Sequence, residues 1–352
     1  MPVSVVVGGQ YGSEGKGKVA LYIAQHSGAH AVVRVGGPNS GHTGIDQTGR
    51  PWVLRQLPAA ALASDAVIVL PAGSLIDPSV LLVETNRLDI QPERLIIDSN
   101  ASVVLPRHRS EEAEEHLVER IGSTGSGTGA ALRDRLSRNS KHVLAGDYPP
   151  LKPFTRPFVA GLLRDFLNHR KRVVIEGTQG FGLSLWHATA YPHATSRDTT
   201  AASFVAESGL APQDVDDVVL VIRSFPIRVG GNSGPLENEI DWPTLAAEAG
   251  LPSNYVELTS ATKRVRRVAR FHPEIVRRAI AVNQPHRVVM NHLDYVDPAA
   301  STKGLGPLGW RFLTGVEKEI ERRVDLIGLA PNRLVRATAH SDRPQATYAS
   351  FP

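Results

Sequence analysis

Seven short apolar runs punctuate the chain, at 3–7, 31–35, 66–70, 95–97, 172–175, 218–222 and 288–290. They are continuous rather than alternating, as strands buried on both faces of a parallel sheet require. Between them, apolar residues recur at helical spacing. Phe158, Leu162, Leu163, Phe166 and Leu167 share one face, and His169, Arg170 and Lys171 close that segment where a helix dipole favours cations. Ser110 is predicted to open another helix, with Glu111 and Glu112 in its first turn and Ala113, Leu117 and Ile121 at helical spacing. Pro243 and Pro273 stand where helices tolerate proline, near their starts. Strands alternating with helices predict an α/β fold, a single large domain whose open, mostly parallel central sheet is flanked by helices. No internal repeat or linker divides the chain, so 1–352 is expected to form one domain.

Composition narrows the picture. The chain has 352 residues, 41% of them hydrophobic, which is enough for a sizeable core. It contains no cysteine, so disulfides, thiolate catalysis and cysteine-based zinc sites are excluded. The longest apolar stretch, 66–76, is broken by Pro71 and Gly73 and falls short of the roughly 20 residues that a spanning helix needs. The first ten residues carry no basic region of the kind that opens a signal peptide. A soluble protein of the cytoplasm is expected, a host's cytoplasm if the source is a phage, with no membrane partner. The formal charge of +4 is too small for a polyanion-binding protein but suits anionic small substrates.

The 31 glycines are concentrated rather than scattered. One cluster is Gly8, Gly9, Gly12, Gly15 and Gly17; a second is Gly36, Gly37, Gly41 and Gly44; a third is Gly122, Gly125, Gly127 and Gly129. The first two follow predicted strands, where backbone N–H groups and a helix dipole make an anion site. A dinucleotide fold would use 15–20 as GxGxxA, but it wants an acid at the end of the second strand, where Val35, Gly36 and Gly37 stand. A nucleotide P-loop fits Gly12 to Lys18 as GxxxxGK, yet Val19 replaces the hydroxyl residue that should hold Mg²⁺. A turn without a ligand would have little use for two lysines among five glycines.

The loops GQYGSEGKGK and GPNSGHT together resemble the adenylosuccinate synthetase family. Further markers follow in order: STGSG at 123–127, EGTQG at 176–180, TSRDTT at 195–200, TKRVRR at 262–267 and NHLD at 291–294. The resemblance covers essentially the whole chain and is closest to the short archaeal and phage-type members. It implies a P-loop-like α/β fold and an NTP-dependent ligase that joins aspartate to the 6-position of a 6-oxopurine nucleotide. The 6-oxygen is phosphorylated first, and the aspartate amine then displaces phosphate. Such phosphoryl transfer depends on positioning and charge neutralisation.

By the same resemblance, the triphosphate is held by Gly12, Ser13, Glu14, Gly15, Lys16, Gly17 and Lys18 and by Gly41, His42 and Thr43. Arg266 assists, and Asn291, His292, Leu293 and Asp294 with Gly328, Leu329 and Ala330 of a C-terminal loop meet its base. Asp294 can accept from both the ring N–H and the amino group of guanine, which favours GTP over ATP. His42 is expected as general acid, and Gln179 as a donor to the 6-oxygen. Asn39, Ser40, Thr124, Thr195, Arg138, Gln179, Arg264 and Ser13 are expected around the purine monophosphate, with Arg138 reaching across a homodimer interface. Ser260, Ala261, Thr262, Lys263, Arg264 and Arg266 are expected to grip aspartate. Mg²⁺ is expected at Ser13 and the Gly41 carbonyl.

The chain departs from the family at Ser13, where its members carry an aspartate that removes the N1 proton and coordinates Mg²⁺. A serine hydroxyl is a poor substitute for either task. Being shorter and neutral, it leaves room beside the purine 2-position and still accepts from an amino donor. Serine here also marks the phage-type branch that makes N6-succino-2-amino-2′-deoxyadenylate from dGMP, the route to 2,6-diaminopurine DNA. The expected substrate is therefore dGMP or GMP, with IMP as the alternative. Glu14, a water on Ser13 and the substrate phosphate are all candidates for the missing base. A nucleotide-binding protein that has lost catalysis is the competing class. The basic stretch 263–278 has seven Lys/Arg but only Phe271 to stack on a base, so nucleic acid is not expected as a partner. Arg270, Arg277 and Arg278 read instead as a solvated helix face.

Overall fold

The computed structural model describes residues 2–63, 65–259 and 263–337. Its frame is a ten-stranded sheet. Numbered along the chain within that sheet, the strands are β1 (Val3–Gly8), β2 (Ala31–Arg34), β3 (Val67–Leu70), β4 (Leu95–Asp98), β5 (Thr155–Arg156), β6 (Val173–Glu176), β7 (Val215–Arg223), β8 (Arg287–Asn291), β9 (Leu326–Ala330) and β10 (Arg333–Arg336). Their spatial order is β10-β9-β8-β7-β1-β6-β2-β3-β4-β5. Every pairing is parallel except that of β9 with β10. All seven apolar runs lie in this sheet. Every residue of β1, β2 and β6 is buried, so the continuous apolar pattern reflects cover on both faces.

Alternation along β1 divides the core. Val3, Val5 and Val7 pack with Leu163, Leu167, Phe204, Ile275 and Leu313, whereas Val6 packs on the opposite side with Val19 and Ile23 of helix α1 (Lys16–Ser27). Full burial of each such side chain contributes about 1.5–3 kcal/mol.

Helix α2 (Val159–Asn168) forms where expected and buries Leu163 and Leu167. Phe158, however, is its left-handed cap and stays 74% exposed, so it does not belong to the packed face. The predicted helix from Ser110 to Ile121 is two helices, Pro106–Glu114 and Leu117–Ile121, separated by a left-handed His116. Pro106 supplies the helix start, which leaves Ser110 inside the first helix. Glu112 is drawn inward rather than solvated. Its carboxylate accepts N–H groups of Gly127 (2.8 Å) and Gly129 (2.8 Å) at the start of the helix Thr128–Leu136.

Pro243 and Pro273 lie in the first turns of helices Trp242–Glu248 and Pro273–Asn283. Arg277 and Arg278 are exposed on the latter, and Arg270 precedes it, ion-paired with Glu248. His42 and Thr43 do not end a loop. They open one arm of an antiparallel hairpin, His42–Ile45 with Pro51–Leu54. Its turn is closed by Asp46, which accepts from Trp52 Nε1 at 2.7 Å while Arg50 stacks on the indole. Among the described residues no helix is long and apolar enough to cross a membrane.

Candidate active site

The apolar runs of the inner strands end in polar residues or glycine at one edge of the sheet: Gly8, Arg34, Glu176, Arg223 and Asn291. Register places Arg34 opposite Glu176 and Arg223 opposite Asn291. Helix α1 begins at this carboxyl edge, with Gly15 at φ 93° as its cap and no acidic residue in its first turn. Its free N–H groups and dipole therefore face the edge as an anion site.

Two cavities of about 370 Å³ each open here. The first is lined by Ser13, Gly15 to Lys18, Gly41 to Thr43, Arg266, Asn291, His292, Asp294 and Ala330. The second is lined by Asn39, Ser123, Thr124, Gln179, Thr195, Tyr11 and Arg228. A neck of about 80 Å³ joins them past Gly12, Ser13, Lys16, Ser40, His42, Gln179 and Arg266. The sites expected for a triphosphate and for a monophosphate thus meet at Ser13, His42 and Gln179.

The first cavity is built on buried ion pairs. Glu14 is fully enclosed: Oε1 accepts from the N–H of Gln10 (3.1 Å) and Gly12 (2.8 Å), and Oε2 accepts from Lys16 Nζ (2.6 Å). Gly180 packs so closely on this carboxylate that a Cβ there would lie 2.4 Å from Oε1. Lys18 donates to the Ala330 carbonyl at 2.6 Å, and burial lowers its pKa to about 8 against the opposing pull of Asp294. Burial likewise raises the Asp294 pKa.

His42 is carried by the hairpin against Glu176. Its Nδ1 lies 2.6 Å from Glu176 Oε1, and Arg34 Nη1 lies 2.6 Å from the same oxygen. Arg34 also approaches Nδ1, but the ionised Glu176 carboxylate can only accept, so the tautomer that suits it carries the proton on Nδ1. With Nδ1–H directed at Glu176, Nε2 is left for a ligand in the neck. Burial and then Arg34 lower the His42 pKa to about 3, so the imidazole is neutral in the unliganded site. Burial alone would raise Glu176, but its hydrogen bond with His42, the nearby charges and the Ala59 N–H hold it at about 2.

Two arginines tie the first loop to Glu257 and Leu258. Arg223 Nη1 donates to the Ser13 carbonyl (3.1 Å) and Nη2 to Glu257 Oε1 (2.6 Å), which also accepts from Tyr295 (2.8 Å). Arg266 donates through Nη1 to Ser13 Oγ and through Nε to the Leu258 carbonyl (3.0 Å). Burial would raise Glu257, but Arg223 overcomes it and holds the pKa at about 2.

The second cavity is lined largely by neutral groups. Thr124 Oγ1 pairs with Ser126 Oγ at 2.8 Å, and Asn39 Nδ2 lies 3.5 Å from Thr195 Oγ1. Arg228, only 2% exposed, stacks on the Tyr11 ring with its guanidinium carbon 4.2 Å from the centroid.

Several expected residues fall elsewhere. Glu14 lies beneath the first loop and lines no part of the cavities, because its carboxylate is consumed by the loop's own donors. It therefore cannot serve as the missing base. Leu293 and Leu329 are core residues, 0% and 1% exposed, the second because Gly328 to Ala330 form the end of β9 rather than a loop. Gly328 does not meet the cavity. It lets Asn291 and Lys18 approach closely, since a Cβ there would lie 1.9 Å from Asn291 Oδ1. Arg138, left-handed after a helix end, is exposed and outside its own chain's cavities, as are Lys263 and Arg264. Ser260, Ala261 and Thr262 lie outside the described residues. Arg34, Glu176, Arg223, Glu257, Tyr295 and Arg228 went unpredicted as site residues. For the first three, the signal available in sequence was a charged residue terminating an apolar run.

Among the described residues no cluster of three His, Asp or Glu side chains could hold a metal ion. Ser13 Oγ and the Gly41 carbonyl are neutral donors, whereas Mg²⁺ favours one or two carboxylates together with phosphates. They fit an ion that arrives on a triphosphate and keeps most of its ligands there.

A parallel sheet with a glycine–lysine loop, a helix start and two joined cavities at its carboxyl edge defines a nucleotide-handling α/β protein. The profile of adenylosuccinate synthetase matches residues 5–146 and 149–303. The enzyme of that name from Thermococcus onnurineus is 39% identical over 304 residues, 85% of this chain and 86% of its own. That of Methanococcus vannielii is 36% identical over 339 residues, 94% and 97% of the two chains. The chain belongs to the adenylosuccinate synthetase family, NTP-dependent ligases that form a C–N bond. Among solved structures, the succinoaminodeoxyadenylate synthetase of cyanophage S-2L, bound to dGMP and to dATP as energy donor, superposes with a TM-score of 0.80. It is 31% identical to this chain and covers 96% of both chains. The fully ligated adenylosuccinate synthetase of Plasmodium falciparum, 20% identical, shares the fold with a TM-score of 0.83 over 96% and 100% of the chains.

Proposed function

We propose that the protein joins L-aspartate to the 6-position of a guanine nucleotide, dGMP or GMP, through a 6-phosphoryl intermediate, with GTP as donor. The observation that carries this reading is Ser13. It puts a neutral hydroxyl where the two cavities meet, and no carboxylate lines the neck among the described residues. A 2-amino group beside N1 meets no bulky anion there. The 31%-identical cyanophage enzyme, solved with dGMP, supports the same choice. Its dATP leaves the donor to Asp294, whose carboxylate in the first cavity matches guanine's paired donors.

In this reading, Gly12, Gly15 to Lys18, Gly41 and Thr43 hold the triphosphate. Ser13 and the Gly41 carbonyl hold its Mg²⁺, which when bound neutralises charge on the transferring phosphoryl group. His42 is oriented by Glu176 through Nδ1, and its Nε2 must take up a proton as the triphosphate binds before it can donate to that group as general acid. Gln179, at the neck, donates to the 6-oxygen as charge develops. Asn39, Ser40, Thr124 and Thr195 hold the monophosphate, and a second subunit supplies Arg138. Arg266 and the adjoining 260–264 take the aspartate carboxylates. The protein acts in the cytoplasm as a homodimer, and the whole chain serves as one domain.

The names of the archaeal relatives favour a second reading, IMP in place of dGMP. Incubation with Mg²⁺, aspartate, GTP or ATP, and either dGMP or IMP, followed by mass spectrometry, separates the two. A succino adduct of dGMP is expected, and an adduct of IMP alone contradicts the proposal. Tight binding with no phosphate release under any pairing would instead place the protein among non-catalytic nucleotide binders.

A further inference from the structure

Lys16, Arg34 and Arg223 each have a carboxylate partner, Glu14, Glu176 and Glu257. Arg266 differs. Its guanidinium donates to two neutral oxygens, Ser13 Oγ and the Leu258 carbonyl, and no ion pair involves it among the described residues. Glu257 is close, for its carbonyl accepts the Arg266 N–H at 2.9 Å, but its carboxylate is committed to Arg223 and Tyr295. A half-buried guanidinium held by neutral acceptors keeps its charge for a planar anion, which it can bind through two parallel hydrogen bonds.

We propose that Ser13 positions the Arg266 guanidinium without neutralising it, so that residue 13 sets how tightly the site takes a dicarboxylic amino acid. The inference rests on Arg266 being the aspartate-facing residue. It adds a second consequence of the serine, separate from purine choice. A carboxylate at position 13 would occupy the place of the present acceptor and pair with Arg266, and the incoming substrate would then have to displace it. An amide would accept the same hydrogen bond and leave the charge available.

Calorimetric titration with succinate, an inert dicarboxylate, in the presence of dGMP reads this without turnover. Ser13→Asp is expected to weaken succinate binding about tenfold or more, the worth of one charge-assisted hydrogen bond. Ser13→Asn and Ser13→Thr, which keep a neutral acceptor, should stay within about twofold. In an Arg266→Gln background the extra loss from Ser13→Asp should vanish. In steady-state assays the aspartate KM should rise more for Ser13→Asp than for Ser13→Asn. Equal losses for Ser13→Asp and Ser13→Asn, persistence of the loss beside Arg266→Gln, or no succinate binding by the wild type would each overturn the inference. A wild type that binds succinate yet forms no adduct from either purine nucleotide would contradict the ligase reading and leave the coupling standing.

Discussion

The two cavities at the sheet edge differ in how their charge is held. Around the first, Lys16, Arg34 and Arg223 are buried against Glu14, Glu176 and Glu257, each partner fixed by further hydrogen bonds. The second offers mainly hydroxyls and amides, and Arg138, expected at its phosphate, is exposed elsewhere on the chain. Even its glycine loop is partly occupied from within, because Glu112 takes the N–H groups of Gly127 and Gly129. A triphosphate in the first would meet a preorganised cradle, whereas a monophosphate in the second would find Arg120 and Arg228 as the lining cations of its own chain among the described residues.

Substitutions can break this contrast. The largest effect is expected at the junction: His42→Ala should lower turnover by about 10²–10⁴-fold with either purine, while triphosphate affinity measured by titration changes little. A comparable loss of affinity would mean that His42 binds rather than reacts. Next, Lys16→Met leaves Glu14 buried without its cation and should lower folding stability by about 3–5 kcal/mol in denaturant titration. Thr195→Val in the second cavity should leave stability nearly unchanged. Equal destabilisation by the two would erase the distinction.

Lys18 gives a pH test of the first cavity. Below its pKa of about 8 the ammonium is already charged in the free site, whereas above it a bound triphosphate must bring the proton back. Affinity should therefore fall, by up to about tenfold per pH unit, as pH rises above 8, and Lys18→Arg should flatten the dependence. The smallest effect is expected for Thr124→Val or Thr195→Val, each raising the purine monophosphate KM by up to about tenfold through one lost hydrogen bond. A change in the triphosphate KM instead would move these residues to the other cavity.

Much of this frame is legible in the chain. The seven apolar runs became the inner strands because full burial on two faces leaves no room for alternation. The glycine loops were readable because their glycines cluster directly after strands, where Gly8, Gly17 and Gly36 leave no room for a Cβ. What escaped prediction depends on pairing across distance. Glu176 and Arg34 are 142 positions apart, and only parallel register makes them partners under His42. Glu14 looked like a ligand residue because sequence does not reveal which way a loop carboxylate turns. Gly328 to Ala330 resemble the family's C-terminal loop, but they end β9, where the glycine admits Asn291. Ser110 resembles a helix cap because Glu111 and Glu112 follow it, but Pro106 starts the helix one turn earlier.

Selection of guanine nucleotides by Ser13, at the junction of the cavities, is tested most directly by offering the wild-type protein equimolar dGMP and IMP with aspartate, Mg²⁺ and GTP in one vessel, and following both succino adducts by mass from the earliest time points. The ratio of initial rates is the ratio of the two kcat/KM values. The dGMP adduct should dominate, and Ser13→Asp should move the ratio toward IMP. Dominance of the IMP adduct in the wild type would contradict that selection.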